Sequence, residues 1–455
     1  MRFIARYAKD KGRVFEIITV YDTKVEKEQV HKENPVITTL SHEHLAALWF
    51  ERKMQDDFGI IIQNAFDKRP LVHQEQFPKN LHPMCKDFYA KELEQSEFQP
   101  YDYEVINGDG VFQVSVGPIH AGIIEPGHFH FSQAGEKMLH LEVRHFYKYR
   151  AVEKMLEGKT LQEAKPIIER ISGNESIAYQ ICYRDILLQA SQQELPQALQ
   201  KRHAFLLELE RIIHHLTDLG FIPNDAGFGA ALALGSKLAE DARRKMKELT
   251  GHRFGFGAID LQNKFVDTAS LHEWLDAMLE SITYFEDWIT DIPSLWDRLD
   301  TTGHLPLKKA VKYDSVGVVA RASGLAIDRR LNSFYLKHGF ELESELSGDV
   351  AARFKVRIAE VKNSLKMMHE FLEADESSLK VGSVADGEYM SFAESSIGEL
   401  FMAIDIKEGV IERFFARDAS FMNWQVLHVM MRRDIIADFP LINKSCDLSY
   451  AGNDL

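Results

Sequence analysis

The chain has 455 residues, 45% apolar and 27% charged, with 54 Lys and Arg against 69 Asp and Glu, a formal charge of −15 at pH 7. Those proportions exclude a disordered or fibrous chain, and so acidic a chain lacks the clustered basic footprint of a sequence-independent nucleic-acid binder. Its three cysteines, Cys85, Cys182 and Cys446, lie far apart with no C-x-x-C pair, which excludes a disulfide framework and any cysteine cage for zinc or an iron–sulfur cluster.

The N-terminus, MRFIARYAKDKGR, is basic but has no apolar core segment, so it does not read as a signal peptide. No apolar run approaches the roughly 18 residues that span a bilayer, so any membrane role must come through a partner. The cysteine usage suits a reducing, cytoplasmic compartment.

In chain order, Val14–Tyr21 and Val36–Leu40 predict short strands, and Ser41–Asp57 predicts a helix with Leu45, Leu48, Trp49 and Met54 on one stripe. Residues 66–100 are rich in proline and charge and read as an extended connector. A hairpin is expected at 101–116 around Asn107-Gly108-Asp109-Gly110. Helical periodicity then predicts helices near 132–158, 161–170, 175–191, 196–219, 228–249, 269–298, 350–373 and 420–434, with strand-like runs at 380–394 and 397–415. The fold class is α+β: a small α+β module over 1–100, then a large, mainly helical domain with small β-sheets over 101–455.

Gly117–Phe131 (GPIHAGIIEPGHFHF) places three histidines and a glutamate among Gly and Pro, so it cannot be a regular helix. A loop with fixed backbone and polar tips is where binding and catalysis concentrate, although solvated turn histidines would look the same. His128 and His130 are spaced to point one way from a strand, yet no further ligand motif follows, and no metal site is expected. Arg150 and Glu153 have the spacing of a helix-surface ion pair, and His214-His215 reads as a helix-surface pair. Arg321, Asp328, Arg329 and Arg330 cluster in ARASGLAIDRR. Gly227-Phe228-Gly229 and Gly251–Gly257 do not follow strands, so they fail as a nicotinamide-binding fingerprint.

Several segments together resemble a known family: GPIHAGIIEPGHFHF, YKYRAVEK, ERISGNESIAY, GVVARASGLAIDRR, GDVAARFKVRIAEVKNSL and DFPLINKSCDLSYAGNDL. They are similar to large subunits of [NiFe] hydrogenases of the energy-converting, hydrogenase-4-like branch, which is shared with the quinone-site D subunit of respiratory complex I. LWFERKMQDDFGI (48–60) resembles the complex I C subunit, and C-like then D-like is the order of fused subunits in hydrogenase-4-type complexes.

The departures from that family are informative. Its hydrogenases hold nickel and iron through two C-x-x-C pairs. Where the first pair stands in R-I-C-G-I-C, this chain has Ser172 and Glu175, with Tyr179 in place of the family histidine. The second pair, in a D-P-C-x-x-C context, is expected to fall on Leu441 and Lys444. The A-P-R-G-E arginine is missing from Glu394–Glu399. Nickel and iron of this kind need soft thiolates, so the expectation is no metal and no cofactor bound by this chain.

The resemblance then implies an NADH:quinone oxidoreductase-like subunit, active only within a multisubunit complex that binds NAD elsewhere. It implies a quinone as substrate. His120 and His128 would face it, with Ser172 and Glu175 in the former metal pocket. His120, Glu125 and Glu153 would do the acid–base work, and Arg150, Glu153 and Glu175 would start a proton path. Implied partners are a complex I B-like small subunit carrying an iron–sulfur cluster, a ferredoxin-like subunit and membrane ion-translocating subunits, on the cytoplasmic face of the inner membrane. The rival readings are an active [NiFe] hydrogenase and a non-catalytic structural subunit.

Overall fold

The computed structural model describes all residues except 79, 90–95, 121–123, 261–267 and 373–376. Parts of the expected connector and of the 117–131 loop therefore lie outside the described residues.

The N-terminal module is a three-stranded antiparallel meander, β1 (Phe3–Asp10), β2 (Val14–Tyr21) and β3 (Val25–His31), in the order β1-β2-β3. Short β4 (Val36–Thr38) and β5 (Ile61–Gln63) pair in parallel around the Ala47–Phe58 helix. That helix packs on β1, with Phe50 edge-on to Phe3 at 5.3 Å. Its polar residues Glu51, Arg52, Lys53, Asp56 and Asp57 are buried as well, because the following chain folds over them. Asp56 Oδ2, for example, accepts from the amides of Leu71 and Val72, each at 2.8 Å.

The next sheet corrects two expectations. β6 (Val111–Val116) pairs with β7 (His128–Ala134), and β7 with β8 (Lys137–Arg144), all antiparallel. The hairpin therefore closes through the His120 loop, not around Asn107, and of the helix expected at 132–158 only Val152–Leu156 is helical. The cause is period-2 alternation in His-Phe-His-Phe: Phe129 and Phe131 enter the core against Phe439 at 4.6 and 5.1 Å, while His128 and His130 take the other face.

The helical layer follows: Ser176–Ser191, Gln197–Asp225, Gly229–Thr250, Thr268–Thr290 and Val350–Phe371. The second and third of these approach closely where Gly220 and Gly235 meet, since a Cβ on Gly235 would lie 2.7 Å from Gly220 Cα. A third antiparallel sheet, ordered β11-β10-β9, is made by β9 (Gly387–Glu394), β10 (Glu399–Lys407) and β11 (Val410–Arg417). It carries the N-terminal module: Tyr7 stacks on Phe415 at 4.3 Å, and Arg413 and Arg417 donate to the Ala8 and Ile4 carbonyls at 3.1 and 3.2 Å. The chain closes with the Phe439–Cys446 and Tyr450–Asp454 helices. No helix among the described residues is long and apolar enough to cross a membrane.

Candidate functional site

Three chain segments meet at the start of the Ser176–Ser191 helix. The first is the turn before it. The Glu175 amide donates to Ser172 O at 3.3 Å, and the Tyr179 amide donates to Glu175 O at 2.9 Å. The second is the C-terminal turn, where Ser449 caps the last helix by accepting from the Gly452 amide at 2.9 Å. Its Oγ also lies 3.2 Å from Ser172 Oγ.

This contact corrects the expected position of the second ligand pair. Leu441 is buried in the core, and Lys444 pairs with Asp218 and Asp447, each at 2.9 Å. The residues that face the Ser172 turn belong to Asp447-Leu448-Ser449-Tyr450-Ala451-Gly452, which keeps the D-x-C-x-x-C spacing with Ser449 and Gly452 in the cysteine places. Pro440 drew the motif eight residues too early.

The third segment follows β11. Asp418 accepts from the Tyr179 hydroxyl at 3.2 Å and from the Ser420 amide at 2.7 Å. Its Oδ2 occupies the space above Gly452, so that a Cβ there would fall far inside van der Waals contact. Glu175 is fully buried and accepts from Ser395 Oγ at 2.6 Å through one carboxylate oxygen, while the other, Oε2, has no hydrogen-bond partner among the described residues. Burial, then the neighbouring Asp418, pushes the Glu175 carboxyl well above the usual range. Glu210, on the Gln197–Asp225 helix, caps the same turn by accepting from the Ile177 and Ala178 amides at 2.7 and 3.3 Å. Burial pushes its carboxyl up to about 8.

The expected loop residues surround this cluster. Glu125 accepts from the Ala451 amide at 3.0 Å and pairs with Lys148 at 2.6 Å, which ties the loop to the C-terminal turn. His120 Nε2 donates to Gly127 O at 2.8 Å, a tautomer fixed because a carbonyl only accepts. Arg150 does not pair with Glu153: it donates to Ile171 O at 2.7 Å and Ala451 O at 2.8 Å, joining the Ser172 turn to the C-terminal turn. The regular helix begins only at Val152, after Ala151 at φ 55°, so the i, i+3 spacing never forms.

Other expected residues lie in different surroundings. Glu153 is buried between Lys53 at 3.3 Å and Arg413 at 2.6 Å. Burial alone would raise its carboxyl, but the two cations outweigh it and hold it below the usual range. His128 sits in β7 with its ring 5.1 Å from that of Tyr103, which stacks on His130 at 4.8 Å. His215 is not on the surface: it is buried and lies 2.9 Å from Glu360.

Arg321 and Arg330 are also buried. They form an ion network with Glu208, Asp328, Glu360 and Glu394, with contacts from 2.7 to 3.6 Å. Arg211 ties that network to the site, donating to Ser395 O at 2.6 Å and Glu394 O at 2.7 Å. A cleft of about 540 Å³, lined by Trp49, Arg69, His140, Tyr313, Trp424 and His428, opens between the N-terminal module and β8. A mainly apolar cleft of about 280 Å³ lies by Ile168, Tyr183 and Leu187. Neither is lined by His120 or Glu175.

The donor set at the former ligand positions is two hydroxyls, one protonation-prone carboxyl and no side chain at all at Gly452, with the Asp418 carboxylate in the fourth place. That set does not fit a nickel–iron centre, which needs soft thiolates.

Sequence reasoning missed Asp418, Glu210, Ser449 and Gly452. A signal was available only for the last two, in the D-x-x-x-x-G spacing at 447–452.

Comparisons with known proteins agree with this architecture. Residues 7–94 match the family described as respiratory-chain NADH dehydrogenase, 30 Kd subunit, and residues 245–380 match the respiratory-chain NADH dehydrogenase, 49 Kd subunit. Formate hydrogenlyase subunit 5 of Escherichia coli is 28% identical over 90% of this chain and 75% of its own length. Hydrogenase-4 component G of the same organism is 27% identical over 90% and 74%. The D subunit of the NADH-quinone oxidoreductase of Desulfotalea psychrophila is 25% identical over 76% of this chain and 98% of its own. The fold is that of a chain in the membrane-bound sulfane sulfur reductase, an archaeal respiratory membrane complex, with a TM-score of 0.69, 19% identity, and coverage of 76% of this chain and 99% of that one. The chain thus carries in one polypeptide a match to the 30 kDa-type and a match to the 49 kDa-type family of respiratory-chain NADH dehydrogenase subunits, is similar over most of its length to hydrogenase-4-type subunits, and has no C-x-x-C pair.

Proposed function

We propose that this chain is the electron-transfer subunit of a membrane-associated, complex I-like respiratory complex. In this reading the former metal pocket serves an acceptor other than a nickel–iron centre. Electrons arrive one at a time from an iron–sulfur cluster in a B-like small subunit, fed by a ferredoxin-like subunit, and membrane subunits couple their flow to ion movement on the cytoplasmic side. The observation that carries the reading is the residue set Ser172, Glu175, Ser449 and Gly452 at the four former thiolate positions.

A quinone-type acceptor suits the loop chemistry. Two-electron reduction of a quinone takes up two protons and needs hydrogen-bond donors at its carbonyls. Because His120 Nε2–H is committed to Gly127 O, only the imidazolium form presents a second N–H, at Nδ1. His120 would therefore bind and protonate the acceptor in one step, and the ring would return to the neutral tautomer that is already anchored. NAD would act at other subunits of the complex.

The test is one purified complex assayed for quinone reduction, sulfane-sulfur reduction and hydrogen evolution. The proposal expects acceptor reduction without hydrogen evolution, with loss of about a hundredfold or more in His120→Ala. Unchanged turnover in that variant would favour a purely structural subunit.

A further inference from the structure

The Thr268–Thr290 and Val350–Phe371 helices bring together two histidines that take no part in the site described above. His272 Nδ1 lies 2.8 Å from His369 Nδ1, and the rings stack with centroids 5.0 Å apart. His369 Nε2 lies 3.2 Å from Asp276 Oδ1, on the turn after His272. Both rings are partly buried, and Asp276 reaches them from the exposed side. The same two helices are joined again by the Lys362–Glu286 ion pair.

The tautomers follow from the partners. A carboxylate only accepts, so the neutral His369 ring carries its proton at Nε2 and presents a lone pair at Nδ1. His272 Nδ1 must then donate to that lone pair. This is the arrangement in which proteins hold a metal-ligating histidine: the outer ring N–H is given to a carboxylate, and the other nitrogen is turned to the ion. Two nitrogens on one tetrahedral zinc, each at about 2.0 to 2.1 Å, stand about 3.3 Å apart. The pair needs to open by only about half an ångström to reach that spacing, a small rotation for partly exposed side chains.

We infer that His272 and His369 form a binding site for a borderline divalent cation of the zinc class, bridging the two helices, with Asp276 orienting the His369 ring. Imidazole nitrogen suits zinc, and the exposed side leaves the remaining coordination places to water. On binding, the proton at His272 Nδ1 moves to Nε2. Both rings stay neutral, and each gives the ion one lone pair. The inference does not rest on the proposed function, since neither histidine touches the Ser172 turn or the His120 loop.

Asp10, Cys85 and Asp87 also converge, but a cation is already there. Lys32 Nζ stands 2.5 Å from Asp10 and 3.6 Å from Asp87, and burial pushes the Cys85 thiol up to about 11.

Cu2+ is the first probe, because its paramagnetic resonance spectrum counts bound nitrogens. One equivalent added to the purified chain, prepared without a histidine tag, should show the superhyperfine splitting of two imidazoles, and excess Zn2+ should displace it. His272→Ala and His369→Ala should each abolish the two-nitrogen signal. Asp276→Ala should keep it but weaken Zn2+ binding about tenfold. Zn2+ should also raise the thermal midpoint of the wild type and leave the histidine variants unmoved, because an ion held only by the folded helix pair stabilises it by mass action. If His369→Ala does not fold, His272→Ala decides alone. A two-nitrogen signal that persists in the histidine variants would mean an adventitious ion only and overturn the inference. A wild-type midpoint that ignores Zn2+ would overturn it as well.

Discussion

Replacing Glu210 by Gln should make the protein more stable at alkaline pH. Glu210 is 4% exposed and is held by two backbone amides at the head of the Ser176–Ser191 helix. Burial raises its carboxyl to about 8, against roughly 4.3 in an unfolded chain. Between those values the folded state holds a proton that the unfolded state has released. Stability contributed by the neutral carboxyl is therefore complete at acid pH and is lost as pH rises through that window. At about 1.4 kcal/mol per pH unit the loss sums to about 5 kcal/mol, an upper value. The two amides reach different oxygens of Glu210, so glutamine keeps a carbonyl acceptor for the Ile177 amide, gives up the longer contact from Ala178, and cannot ionise. Urea unfolding, followed by tryptophan fluorescence from pH 4 to 9, should give curves separated in acid only by the lost Ala178 contact and moving steadily in favour of Glu210→Gln as pH rises, by about 3 to 5 kcal/mol between pH 4 and pH 9. Parallel curves would refute the assignment of a neutral, buried Glu210.

Other substitutions report on the rest of the framework. Lys53→Met leaves Asp57 and Glu153 with one cation fewer in a buried cluster, and the expected loss is about 3 to 5 kcal/mol in unfolding free energy. Gly317→Ala is expected to prevent accumulation of folded protein, because φ is +63° and a Cβ would collide with Ile397 O; a soluble variant with unchanged thermal midpoint contradicts this. Gly452→Cys drives its side chain into Asp418 Oδ2, so restoring four cysteines alone should yield a destabilised chain without nickel, as metal analysis after expression would show. Wild-type stability together with stoichiometric nickel would contradict the packing described for the C-terminal turn.

Long elements were legible because their patterns are redundant. The Gln197–Asp225 and Val350–Phe371 helices repeat an apolar face over many turns, and Val14–Tyr21 is rich in β-branched residues. The β7–β8 hairpin was not legible, because its histidines obscure the alternation that Phe129 and Phe131 set. At the site, Ser172 and Glu175 were found by register with a cysteine motif. The second pair slipped, since Pro440 offered a false anchor and only contact with Ser172 fixes the true one. Asp418 and Glu210 come from distant segments whose local sequence shows an ordinary helix cap and an ordinary amphipathic helix. Their chemistry exists only once the fold strips them of water.

The central claim is that a pocket built from hydroxyls and carboxyls has replaced a thiolate-held metal. Nickel determination on the intact complex, purified from cells able to mature nickel enzymes, tests it most directly. The account predicts background nickel per copy of this chain, with acceptor reduction retained. One nickel per chain, released when Ser172 and Glu175 are both changed to alanine, would contradict it.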